Sequence, residues 1–183
     1  MHNATFTRMD ESTAEEWGWI ASQARANQGR VADGILALLT QLGSITDGFA
    51  VDQLTHCLQT ATLAEAAGAD EELILASLCH DMGKAISVPN HGPIAAEILR
   101  PYVRKDIVWM LRVHQDFQGK HYYGLVGADP NKREAYTDHP AYAMTAQFTD
   151  EWDQIAFDPD RETRSLEYFE PLIRSIFARP RGF

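Results

Sequence analysis

The sequence predicts an all-α fold, a single-domain helical bundle. Apolar residues recur at helical spacing along nearly the whole chain, start and stop residues bracket those stretches, and no run alternates as a strand would. The 183 residues are enough for one domain with its own core, so residues 1–183 are read as one unit. Charged residues make up 23%, an ordinary globular proportion.

The elements follow in order. Thr13 and Glu16 form a capping box that opens a helix to about Asn27. Val31 to Leu42 is a second, with Ile35, Leu36, Leu38, Leu39 and Leu42 apolar and Gly43 closing it. Asp52 caps a third that runs to Ala67 and stops at Gly68. Asp70 caps a fourth from Glu71 to about Ile86; its apolar residues cover most of its circumference, so it is central. Residues 88–93 are a break, and Pro93 sits in the first turn of a helix continuing to Leu99. Lys105 to Phe117 is another helix. Residues 118–139, rich in Gly, Tyr, Asp and Pro, read as a lid or binding loop. Pro140 starts a helix to about Phe157, with Met144, Phe148, Trp152 and Ile155 as its core face. Ser165 to Ala178 is the last.

The net charge of −10 argues against a nucleic-acid partner, which needs clustered Lys and Arg. A small anionic substrate stays compatible, because a pocket can be basic inside an acidic shell. No run approaches a membrane span, and Met1 to Trp17 lacks the apolar core of a signal peptide. The expectation is a cytoplasmic protein with Cys57 and Cys79 reduced and buried as core filler. The oligomeric state is not readable.

The chemistry lies in histidines and aspartates. Adjacent His80 and Asp81, in L-C-H-D-M-G-K, end the central apolar helix. Charge there is costly without a partner, and a metal supplies one; the plainer alternative is a hydrogen-bonded core pair. An imidazole takes one metal, and the neighbouring carboxylate has two oxygens and can reach a second. A mixed His/Asp set suits a catalytic transition metal. His56 stands on the preceding helix, about as far before the Gly68 turn as His80 is after it, so the two meet across an antiparallel pair. His91, at a helix start, and His114, ending W-M-L-R-V-H, suit a second metal. A late carboxylate would close the first metal's shell; Asp153 and Asp150 both flank the core face. His2 reads as a free terminal residue. His121 and His139 lie in the excursion, where a solvated histidine is the commoner case.

These residues resemble the HD-domain superfamily, an all-helical metalloenzyme fold. His56, His80, Asp81 and Asp153 match its H…HD…D pattern, and the choice of Asp153 over Asp150 rests on that match. His91 and His114 match the extra histidines of dinuclear members, in which the aspartate of the H-D pair bridges the metals. The resemblance implies a metal-site core over residues 46–157. Two reaction classes share the pattern. One is phosphate-ester hydrolysis with Mn, Mg or Ni. The other is oxygenation by an Fe(II)/Fe(III) pair, with two iron ions and O2 as co-substrate. The strings G-F-A-V-D-Q-L-T-H-C-L-Q and N-H-G-P-I-A-A-E-I-L, with the Trp152–Asp153 pair, are similar to organophosphonate oxygenases. Lys84 instead resembles the substrate-contacting lysine of myo-inositol oxygenase.

The chain departs from the phosphonate oxygenases at three positions. An aromatic plug maps onto Thr46, an acidic substrate-binding residue onto Phe49, and an arginine onto Asp150, which counts against an amino-phosphonate. Lys84, three residues past Asp81, shares that helix face and is the candidate catalytic and substrate-binding cation; the alternative is a solvated helix-end lysine. Lys120, His121 and Tyr122, just after His114, are further candidate substrate contacts. The expected function is a di-iron oxygenase acting on a small polar molecule of organophosphonate or polyol type, with a phosphohydrolase as alternative. A dead binding module is disfavoured because all six ligands are present.

Overall fold

Eight α-helices build the computed structural model, which describes residues 3–181; His2 lies outside that range. They are α1 (Ala14–Gln28), α2 (Val31–Leu42), α3 (Gln53–Ala66), α4 (Glu71–Cys79), α5 (His91–Leu99), α6 (Lys105–Gln118), α7 (Tyr142–Gln147) and α8 (Leu166–Phe177). No strand occurs among the described residues, so the fold is all-α. Among the described residues no helix is long and apolar enough to cross a membrane.

Local signals set most boundaries. Thr13 and Glu16 close a reciprocal capping box on α1. Asp52 accepts from the Thr55 N–H, Asp70 from the Glu72 and Leu73 N–H groups, and Ser165 from the Tyr168 N–H. Past α3, Gly68 is left-handed at φ 78°, the Ala69 N–H donates to Ala64 O and the Gly68 N–H donates to Glu65 O. That double closure reverses the chain, so α3 and α4 pack as an antiparallel pair. Their facing surfaces bury Cys57, Ala61, Ala64, Leu75 and Leu78. The other pair is α5 with α6, packed through Ala95, Leu99, Ile107 and Leu111.

α5 starts at His91 and has Pro93 in its first turn, as expected. Two expectations are corrected. α4 does not run to Ile86: it ends at Cys79, and the chain tightens into a 3-10 turn over Met82–Ala85. The helix expected over 140–157 is α7 followed by a π-helical turn over Phe148–Asp153, where the Gln154 N–H donates to Thr149 O. The wider turn shifts the face register. Phe148, Trp152 and Ala156 are buried, whereas Ile155, expected inward, is 38% exposed.

The 118–139 segment is ordered as three short 3-10 turns. His139 stacks on Trp109 at 3.6 Å between centroids, and the Tyr136 hydroxyl donates to Asp116, so the excursion is clamped onto α6.

Candidate metal centre

Five elements bring the six predicted ligands to one place. α3 supplies His56, the end of α4 His80 and Asp81, the first residue of α5 His91, α6 His114, and the π-turn Asp153. All six are buried. Two close approaches permit this. A Cβ on Gly83 would lie 2.3 Å from the His91 carbonyl oxygen, so only glycine lets the 82–85 turn abut the start of α5. A Cβ on Gly92 would lie 2.7 Å from the Leu111 carbonyl oxygen and 3.1 Å from the His114 ring.

The hydrogen bonds define the histidine tautomers. His56 Nδ1 is 2.9 Å from Ala156 O, His80 Nδ1 2.9 Å from Ser77 O, His91 Nδ1 2.8 Å from Val88 O and His114 Nδ1 2.8 Å from Leu111 O. A carbonyl only accepts, so each Nδ1 carries the proton and each neutral Nε2 presents a lone pair. Those lone pairs converge. Nε2 atoms of His56 and His80 are 3.1 Å apart, and those of His91 and His114 are 3.3 Å apart. Acceptor facing acceptor in a buried site repels unless a cation sits between them.

Asp81 serves both pairs. Its Oδ2 lies 3.6 Å from His56 Nε2 and 3.4 Å from His80 Nε2; its Oδ1 lies 3.1 Å from His91 Nε2 and 3.6 Å from His114 Nε2. Asp153 Oδ1 joins the first pair, 3.1 Å from His56 Nε2 and 3.5 Å from His80 Nε2. Asp81 Oδ1 and Asp153 Oδ2 are buried oxygens without a hydrogen-bond donor among the described residues. Two donor groups can therefore hold a divalent metal: His56 with His80 and Asp81, and Asp81 with His91 and His114.

The electrostatics agree. Burial opposes charge on His80, but Asp81 and Asp153 outweigh it and raise its pKa well above the ordinary value, so without a metal a proton on His80 Nε2 takes the place of the cation. Burial would likewise neutralise Asp81, yet the His80 charge and contacts from His114 and His91 hold its pKa well below the carboxylate range. Asp153 is lowered in the same way, against burial, by His80 and His56. The field of the site favours positive charge at its centre.

Other side chains tie the site down. Gln118 Nε2 donates to Asp153 Oδ1 at 3.1 Å. Phe157 stacks on His56 at 4.2 Å between centroids, and Phe49 stacks on Phe157 at 4.8 Å. Phe148 meets His80 edge-on. Lys84 Nζ lies 2.6 Å from Asp81 Oδ2 and donates to Gln53 Oε1 at 2.8 Å, with its side chain only 14% exposed. Burial works against that ammonium, but Asp81 keeps its pKa above the ordinary lysine value.

Beside the cluster a cavity of about 640 Å³ opens to solvent, lined by Lys84, His91, Gln118, His121, Tyr122, Phe49 and Phe157 among others. Lys120 does not line it. Lys120 sits 3.3 Å from Asp150, on the surface, where Asp150 also meets His121 at 2.8 Å and Arg133 at 2.9 Å. Asp150, the rival for the last ligand, is held by that group and not by the six-residue cluster.

Sequence reasoning passed over Gln53, Gly83, Gly92, Gln118 and Phe157. Three had a signal in their helical spacing from a ligand: Gln53 is one turn before His56, Gln118 one turn after His114, and Phe157 one turn after Asp153.

The family model for the HD domain matches residues 54–154, more than half of the chain and the stretch that contains all six residues. No curated protein matches the chain at a significant level.

Proposed function

This chain belongs to the HD domain family, and from that membership we propose that it is a dinuclear metalloenzyme whose two metals share Asp81. The single observation that carries the reading is the division of the Asp81 carboxylate: Oδ2 faces one histidine pair and Oδ1 the other. A mononuclear site would leave His91, His114 and Asp81 Oδ1 as converging buried acceptors with nothing between them. His56, His80, Asp81 and Asp153 would hold one metal, and Asp81, His91 and His114 the other.

The finer reading is a mixed-valent di-iron oxygenase that oxidises or cleaves an organophosphonate- or polyol-type substrate. It is supported by the similarity of residues 48–59 and 90–99 to phosphonate oxygenases. Two irons would supply the one-electron chemistry that brings O2 to bear on a substrate C–H bond. The chain's own residues do the rest. Lys84 binds an anionic or hydroxylated group beside Asp81. Gln118 orients Asp153. Phe157 and Phe148 wall the imidazoles from water. The second reading, a metal-dependent phosphohydrolase, is favoured by the Lys84 ammonium on the cavity wall, which suits a phosphate ester.

Metal analysis of protein purified without oxygen, followed by EPR, separates the two. The oxygenase reading expects iron, a coupled Fe(II)/Fe(III) signal and substrate-dependent O2 uptake across a panel of phosphonates, polyols and phosphate esters. Phosphate release at equal rates under argon, with Mn, Mg or Ni bound, contradicts it in favour of the hydrolase.

A further inference from the structure

The cavity beside the metal centre has two chemically distinct ends. Its inner end carries the nitrogen groups: Lys84, His91 and Gln118. Two of the three Lys84 N–H donors are engaged by Asp81 and Gln53, which leaves one for a ligand. Its outer end has one apolar wall, Phe49 and Val88, facing the polar Asp47, Gln115 and His121. Phe49 is 50% exposed and Val88 49%, although both line the cavity. Phe49, Phe157 and His56 form a continuous aromatic stack that runs from the mouth to a candidate ligand. Asp47, on the same loop as Phe49, is exposed at this outer end, so negative charge at the mouth opposes the cation within.

From this polarity we propose that the substrate is an amphiphile: a compact acid head, carboxylate or phosphonate, carrying an alkyl body that lies along Phe49, Phe157 and Val88. The inference rests on the reading of the adjoining cluster as the reaction centre. It narrows the substrate class from organophosphonate or polyol to an acid with an apolar chain. A polyol would set hydroxyls against the phenyl faces. A bare two- or three-carbon acid would leave most of the volume to water, since about 640 Å³ is the size of cavity that takes a drug-sized ligand. Asp47 would repel the head at the mouth, and Lys84 would hold it inside.

Calorimetric titration of the metal-replete protein with n-alkylphosphonates and n-alkanoates, from methyl to octyl, tests this. Affinity is expected to tighten about four-fold per methylene, the factor carried by burying one CH2, until the chain passes Phe49. Phe49→Ala should flatten that dependence, and Phe49→Leu should restore it, with metal content measured in each variant. Affinity that is flat or falls with chain length, no binding by either series, or an unchanged dependence in Phe49→Ala would overturn the proposal. Failure of the oxygenase reading shows elsewhere, in the metal content and O2 uptake of the same preparation, and leaves the chain-length result standing.

Discussion

Lys84 Nζ and Asp81 Oδ2 lie 2.6 Å apart in a nearly closed environment. The ammonium therefore faces the cavity while one of its protons is shared with the carboxylate assigned to both metals. Removing it should not empty the site, because the ligand atoms are unchanged. Lys84→Ala should keep full metal content and weaken binding of an anionic substrate by about 1.5–3 kcal/mol, the range for a hydrogen bond to a charged group. Lys84→Met, which keeps the length and loses the charge, should match it in the same titration; wild-type affinity in either variant would remove Lys84 from the binding role. Gly92 is the second residue to test. Gly92→Ala pushes a methyl against the Leu111 carbonyl and the His114 ring, so it should destabilise by about 1–3 kcal/mol and deplete one metal. Gly34→Ala is the control: it is the fourth residue of α2, in open space, and should stabilise by about 0.5–1 kcal/mol in urea denaturation.

At the scale of the element, caps and closures are local contests between a side chain and the backbone groups beside it. That is why Thr13, Asp52, Asp70 and Ser165 could be read as starts and Gly68 as a stop. Asp52→Ala should cost about 1 kcal/mol in urea denaturation, because the Thr55 N–H loses its acceptor; an unchanged midpoint would show that the cap contributes nothing. The π-turn was not legible. Its side chains continue an ordinary 3.6-residue pattern through Met144, Phe148 and Trp152, and the added residue per turn is imposed by packing against α3 and α6. Hence Ile155 was assigned to the wrong face. The premature end of α4 was hidden for a similar reason: Met82–Ala85 is apolar enough to extend the helix, and only the approach of His91 to Gly83 turns it aside. The six candidate ligands were legible because their chemistry is unusual in a buried helix. Gln53, Gln118 and Phe157 were not, since glutamine and phenylalanine are ordinary there. Cys57 and Cys79 lie beside ligands and are fully buried. Burial raises both thiol pKa values, so both should react slowly with thiol reagents in the native state. Rapid native-state labelling would mean that α3 and α4 are misoriented.

For the whole molecule, the centre is held by ligands from α3, α4, α5, α6 and the π-turn, so metal should couple to global stability. Chelation leaves four converging Nε2 atoms and two buried carboxylates, and the thermal midpoint should fall and recover on adding metal back. At a hundredfold excess of free metal over its dissociation constant the stabilisation is about 2.7 kcal/mol per site. The measurement that tests the two-metal assignment most directly is metal stoichiometry in the wild type and in single ligand variants. Two metals per chain are expected in the wild type, one on His91→Ala or His114→Ala, and almost none on Asp81→Ala. One tightly bound metal per chain in the replete wild type, unchanged by His91→Ala and His114→Ala, would contradict a centre shared through Asp81.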